Sequence, residues 1–314
     1  MEVQSVRQKA IYTVVTLIII SLAGSFYFIY RKSDNYNLKL AQTIIKENAF
    51  YSSQVDWEKE FFISKNILMS DDTENSFHNS LSHLLKALKD NHSKVISQKN
   101  MHKSDANSFT DYYSKNDIPV VIINNWSGKD QLSAYSKIKE NVNKAVTSSQ
   151  CGIVIDISKN YGCNVWPMAN GISTLISEGV IGSFVDSTGQ VVEIINSKGV
   201  IKIKGMFTPF KEQHEYVMYN KKVAVVTGRR TASSGEILSI LMRGQPNVKF
   251  FGEPTMGVPT SNRVFTLPNN VRFALTTAVT RDRNNVIYSK SISPDVVTKE
   301  PIRLALEWIN EDCQ

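Results

Sequence analysis

Two short stretches limit the fold most. Cys151-Gly-Ile-Val-Ile-Asp-Ile157 and Val223-Ala-Val-Val-Thr227 are nearly unbroken apolar runs, each followed by a turn-rich segment. A strand with water on one face alternates apolar and polar residues. A run without alternation fits a strand covered on both faces, as in a parallel sheet flanked by helices. Ile118–Ile123 reads as a third such strand, residues 129–147 as a helix, and Ser158-Lys-Asn-Tyr-Gly162 as a turn. A helix beginning near Pro167 suits the tolerance of a first turn for proline. Turn signals at Asp186–Gly189 and Asn196–Gly199 mark residues 180–217 as a β meander. Phe250–Gly252, Ser261–Leu267 and Arg272–Thr280 read as strands, and 301–311 as a closing helix. Strands alternating with helices specify an α/β core.

The N-terminal part has a different pattern. Residues 36–90 read as helical, and Phe77, Leu81, Leu84, Leu85 and Leu88 recur at three- and four-residue spacing as one apolar stripe. Residues 97–117 are polar and irregular, the composition of a loop or flap. Ahead of both, Ala10 to Tyr30 contains no charged residue. At about 1.5 Å per helical residue the run spans roughly 30 Å, the thickness of a bilayer core. Arg7 and Lys9 precede it, Arg31 and Lys32 follow it, and Tyr27 and Tyr30 stand where interfacial aromatics are found. A cleaved signal peptide would have a shorter apolar region and a small-residue cleavage site, which Phe26-Tyr27-Phe28-Ile29-Tyr30 does not supply. The expected organisation is a tail and transmembrane anchor over 1–32, a helical subdomain over 33–96 and an α/β core over 97–314. Because basic residues flank both ends of the anchor, charge leaves its orientation open.

Charge and cysteine usage narrow the function classes. Of the formal charge of +7, residues 1–32 carry +3, and no Lys/Arg block of five exists, so nucleic acid is a poor partner. Cys151, Cys163 and Cys313 are an odd set without paired-ligand spacing. A Cys151–Cys163 disulfide is one option in an exported chain. His78 and His83, five apart, fall on different helical faces, so neither a metal site nor a cofactor is expected.

Chemistry concentrates in Val223-Ala-Val-Val-Thr-Gly-Arg-Arg-Thr-Ala-Ser-Ser-Gly-Glu-Ile237. A buried strand enters a tight turn, and hydroxyl residues stand at the start of a helix. The unpaired N–H groups and positive end of that helix favour a developing oxyanion. Ser233-x-x-Glu236 is equally the pattern of a capping box, in which each side chain satisfies the other residue's backbone N–H.

Three ordered motifs add a resemblance covering roughly residues 150–300. Thr231-Ala-Ser-Ser-Gly-Glu-Ile237, Gly252-Glu-Pro-Thr-Met-Gly257 and Ile155-Asp-Ile-Ser-Lys-Asn-Tyr-Gly-Cys163 are similar to the active-site segments of the C-terminal (tail-specific) processing serine peptidases. Thr276-Thr-Ala278 and Ser293-Pro-Asp-Val296 echo that family's C-terminal strands. The resemblance implies a crotonase-like ββα peptidase core, but a PDZ module, common in processing peptidases between the N-terminal part and the core, has no room here. It implies Ser233 as nucleophile, with Ser234 as its rival, and an oxyanion hole from the N–H of Ser234 and one from the Gly162 turn. Two positions depart from the pattern. The family's general-base lysine falls at Val258, and Cys163 replaces a glycine, where a side chain disfavours positive φ.

Leu88-Lys-Asp-Asn-His-Ser93 resembles the Asp-x-His-Ser/Thr segment of the lysine-lacking branch, which implies His92 as base. An imidazole is neutral and basic near pH 7. With the anchor and no room for a PDZ module, the chain resembles the lantibiotic-resistance branch of the family. That implies an extracellular, membrane-held peptidase of Gram-positive bacteria whose partner is a peptide substrate, a lantibiotic such as nisin. The alternatives are a non-catalytic peptide-binding ectodomain and a peptidase acting on an envelope protein or signalling peptide.

Overall fold

The structure, a computed structural model, describes residues 20, 21, 30, 32–70, 75–96, 109–212, 216–311 and 313. The expected anchor over 10–30 lies almost wholly outside them. Among the described residues no helix is long and apolar enough to cross a membrane. The chain forms two compact units, one taking the described residues up to 96 together with Arg263–Leu275, the other taking the rest.

The first unit contains helices α1 (Asp34–Asn48), α2 (Trp57–Ser70) and α3 (Ser76–Ala87) and the short strand β1 (Lys94–Ile96). Ser33 caps α1, its hydroxyl accepting the Tyr36 N–H at 3.4 Å. The expected stripe of α3 is buried: Phe77, Leu81, Leu84 and Leu85 pack with Leu38, Ala41 and Ile45 of α1. Leu267, Phe273 and Leu275 complete this core, and Lys94–Ile96 pair antiparallel with Ala274–Arg272. The segment 263–275, read from sequence as strand belonging to the α/β core, thus groups with the helices.

In the second unit, in chain order, come β2 (Thr110–Lys115), β3 (Ile118–Ile123), α4 (Gln131–Ser148), β4 (Gly152–Asp156), α5 (Val165–Gly171), β5 (Gly179–Asp186), β6 (Val191–Ser197) and β7 (Val200–Ile203). β8 (Lys222–Thr227), α6 (Ser234–Met242), β9 (Val248–Gly252), β10 (Thr260–Thr266), β11 (Arg272–Asp282), β12 (Ile287–Tyr288), β13 (Val296–Val297) and α7 (Pro301–Asn310) follow, the parts of β10 and β11 within Arg263–Leu275 belonging to the first unit. One sheet runs β13-β9-β8-β4-β3-β2, parallel except at β2. Both its faces are covered, which explains the unbroken apolar runs. Val121, Ile123, Ile153, Ile155, Val223 and Val225 face a core shared with α4, α5 and α6. Their neighbours Val120, Val154, Ala224 and Val226 pack against Ala305, Leu306 and Ile309 of α7. The meander β5–β6–β7 is antiparallel, and β5 pairs with Ala278–Asp282.

Three expectations change. Residues 110–115, read as loop, form the edge strand β2, paired with β3 through a two-residue turn in which Asn116 (φ 50°) and Asp117 (φ 61°) are both left-handed. That is the geometry a tight hairpin requires, and Asn and Asp tolerate it. Residues 97–108 of the expected flap lie outside the described set. The meander ends at Ile203 rather than 217. Finally, Cys151 is bonded to Cys313, with Cα atoms 5.2 Å apart, and Cys163 stays outside the disulfide. Cys151 and Cys163 lie off opposite ends of β4. A five-residue strand at about 3.3 Å per residue separates them well beyond the roughly 7 Å a disulfide spans.

Candidate active site

The loops leaving the adjacent parallel strands β4 and β8 are tied together. After β8, the Thr231 hydroxyl donates to the Ile157 carbonyl (2.9 Å) and accepts the Gly228 N–H (3.0 Å). The Ala232 N–H donates to the Asn160 carbonyl at 2.9 Å. Asn160 is fully buried; its side chain donates to the Ile123 carbonyl (3.1 Å) and accepts the Gly162 N–H (2.9 Å). These bonds press the 157–163 turn against the start of α6. At Gly162 (φ +103°) a Cβ would lie 2.9 Å from the Ala232 oxygen, Ser233 Cβ and the Ser234 nitrogen alike. Only glycine fits there. Cys163 holds φ +89°, so the turn keeps its left-handed geometry despite the side chain.

Ser233 is the turning point. Its φ of 53° and ψ of −119° are far from the ordinary regions for a residue with a Cβ, and it is half-buried. Strain of this kind, of order 1–3 kcal/mol, persists only where surrounding bonds impose it. A serine on a strained strand-to-helix turn is the arrangement that lifts a nucleophilic hydroxyl clear of the backbone. Ser234, the rival, is buried, and its hydroxyl donates to the Cys163 carbonyl at 2.7 Å. As the first helical residue, Ser234 carries a backbone N–H with no acceptor within the helix. The Gly162 N–H, expected to face an oxyanion, points instead to Asn160 Oδ1.

Glu236 does more than cap the helix. Fully buried, its carboxylate accepts the Ser233 N–H on Oε2 at 2.9 Å, the capping bond expected from sequence. The same oxygen accepts the Val258 N–H (2.9 Å), and Oε1 accepts the Gly257 N–H (2.8 Å) and the Thr255 hydroxyl. Burial pushes the carboxyl above the usual carboxylate range, against the pull of these four donors. One side chain therefore joins the serine turn to the Gly252–Gly257 motif and brings Val258 beside Ser233. The isopropyl group at that position cannot accept a proton.

His92 belongs to the first unit. Asp90 folds the turn that carries it, accepting the N–H groups of His92 (2.8 Å) and Ser93 (2.5 Å) and the Ser93 hydroxyl (2.8 Å). Burial, aided by Lys94 and opposed by Asp90, pushes the imidazole down to about 4, so it is neutral at pH 7. Of the other described histidines, His83 pairs with Glu60 at 2.7 Å and His78 is exposed. No group of three or more metal-ligating side chains occurs among the described residues.

Similarity to known proteins gives the family and the fold. Residues 117–298, more than half of the chain, match the model of peptidase family S41. The nisin-resistance protein of Lactococcus lactis subsp. lactis is 29% identical over 192 residues, 60% of this chain and 59% of that protein, so the match spans under two thirds of the relative's length. A lipoprotein from Streptococcus agalactiae shares the fold with a TM-score of 0.76 at 24% identity, covering 88% of this chain and 96% of that one. The photosystem II D1 C-terminal processing protease superposes with a TM-score of 0.55 at 14% identity, over 86% and 94% of the two chains. With its mixed α/β fold and its three motifs gathered around Ser233, the chain belongs to peptidase family S41.

Proposed function

We propose that the chain is a serine peptidase, anchored in the membrane by residues 10–30 with its folded part outside the cell, that cleaves the C-terminal tail of a nisin-like lantibiotic and so confers resistance. The observation that carries the reading is the strained Ser233 turn at the mouth of α6. In this mechanism Ser233 Oγ attacks the peptide carbonyl while His92 takes its proton and returns it to the leaving amine. The Ser234 N–H receives the oxyanion. Gly162 leaves space beside it, and its own N–H becomes a second donor only by leaving Asn160 when substrate binds.

Family membership and the nisin-resistance relative support the substrate class. The Cys151–Cys313 disulfide supports an oxidising, extracytoplasmic location. The test incubates the full chain and its Ser233→Ala, Ser234→Ala and His92→Ala forms with nisin and weighs the products. Ser233→Ala and His92→Ala should each lower kcat on the order of 10⁴–10⁶-fold. Undiminished cleavage by either variant refutes the assignment, and cleavage only of envelope proteins or signalling peptides moves the substrate class.

Val258 favours a second reading, a peptide-binding ectodomain without catalysis. It predicts nisin binding that survives both alanine changes, with no cleaved product. Anchoring is checked by alkaline extraction of membranes and protease shaving of intact cells.

A further inference from the structure

The two loops that grip the Ser233 turn each present a large, exposed, uncharged side chain, and the first also exposes Cys163. On one side the Asn160 carbonyl holds Ala232, and the next residue, Tyr161, is 47% exposed. On the other, the Met256 N–H donates to the Thr231 carbonyl at 2.9 Å, and the Met256 side chain is 58% exposed. Large apolar side chains normally leave water. Here the backbone at both positions is fixed by bonds to residues 231 and 232, and Val258 is held beside Ser233 by Glu236.

Basic side chains flank this pair, and Asp156, at the root of the first loop, accepts the Ser158 N–H at 2.9 Å. Lys159 and Arg230 are exposed, two residues before Tyr161 and three before Ser233. Arg229 is matched by Glu253 at 2.9 Å. Buried Glu236 is fully occupied by its four donors and presents no charge to a ligand.

From this juxtaposition we propose that Tyr161 and Met256 determine specificity: the site takes peptides with uncharged, apolar side chains flanking the cut bond, while Lys159 and Arg230 turn away basic neighbours. The inference rests on Ser233 being the nucleophile. Apolar contact supplies affinity in proportion to area removed from water, and a like charge at the rim is a repulsive element against the wrong peptide. A cationic lantibiotic would then be cut only where its own sequence is locally apolar.

The experiment takes a peptide that the full wild-type chain cleaves, resynthesised with Leu, Gly or Lys flanking the cut. Wild type should prefer Leu to Gly to Lys in kcat/KM. Met256→Ala and Tyr161→Ala should each lower the Leu-to-Gly preference about 10-fold, the scale of losing a small apolar contact in a pocket. Arg230→Glu should raise the Lys-to-Gly ratio by a similar factor. Preferences that stay put in all three variants overturn the inference while leaving the nucleophile intact. Cleavage of the same peptides by Ser233→Ala at the wild-type rate overturns the nucleophile and the specificity together.

Discussion

Replacing Glu236 by glutamine tests the architecture of the site more severely than deleting the serine. The carboxylate serves four donors with two oxygens, Ser233 and Val258 on one, Thr255 and Gly257 on the other. Glutamine offers one oxygen and one NH₂. With its oxygen toward Ser233 and Val258, the amide can donate to Thr255 Oγ1, which already accepts the Ile292 N–H at 2.9 Å, but the Gly257 N–H then faces another donor. Reversed, both Ser233 and Val258 lose their acceptor. The better orientation leaves one buried donor unpaired, at about 1–3 kcal/mol, and weakens the remaining charge-assisted bonds. Relief of the burial penalty that raises the Glu236 carboxyl offsets part of this. The expected net loss for Glu236→Gln is about 2 kcal/mol, on the order of 30-fold in the folded-to-unfolded ratio. Glu236→Ala, which abandons all four donors, should lose more. Urea denaturation reads the stability. The rate of Ser233 labelling by a fluorophosphonate reads the local geometry and should fall in both variants. A glutamine variant within 0.5 kcal/mol of wild type and labelled at the same rate would refute the role given to this carboxylate.

Three other outcomes follow from the same structure. Gly162→Ala places a methyl 2.9 Å from three atoms of the Ala232–Ser234 turn at φ +103°; left-handed strain and overpacking together should cost about 2–4 kcal/mol, read by thermal melting, with labelling of Ser233 slowed. Removing the Cys151–Cys313 bond opens a loop of 162 residues, and chain entropy sets a ceiling of about 5 kcal/mol on the loss; unchanged urea midpoints for the reduced and oxidised chains would contradict it. A base must be neutral to act, so if His92 is that base kcat/KM should fall as pH drops through about 4 rather than through 6.5, and Lys94→Met should move that limb upward. The same depressed value gives a stability contribution that is full above about pH 6.5 and lost as pH falls toward 4, because the unfolded chain binds the proton first.

Much of the core was legible because local chemistry and global fold agree there. The strands at 118–123, 152–156 and 223–227 show no alternation since both faces are covered, and the stripe of Phe77 to Leu88 is buried as spaced. The Ser233–Glu236 cap could be read because its partners are three residues apart. The other three bonds of Glu236 could not, because Thr255, Gly257 and Val258 lie about twenty residues on, and two of the three donors are backbone N–H groups that leave no trace in residue type. β2 escaped for a different reason: as an edge strand with mostly exposed side chains it lacks an apolar pattern, and its signal was the Asn116-Asp117 turn. The disulfide partner of Cys151 was hidden by a sequence separation of 162. Cys163 replaces the glycine expected from the family pattern, yet the bonds around it hold φ at +89°.

The Cys151–Cys313 link also bears on how this chain meets other proteases. Chain ends ordinarily fray, and trimming by exopeptidases begins there. Here Cys313 is fastened to Cys151, just ahead of the central strand β4, and α7, which precedes Cys313, seals one face of the sheet. Trimming that advances toward this helix from its C-terminal side meets a cross-linked residue first. While the bond is oxidised, the C-terminal end of α7 stays tied to the sheet it covers and cannot peel away from it.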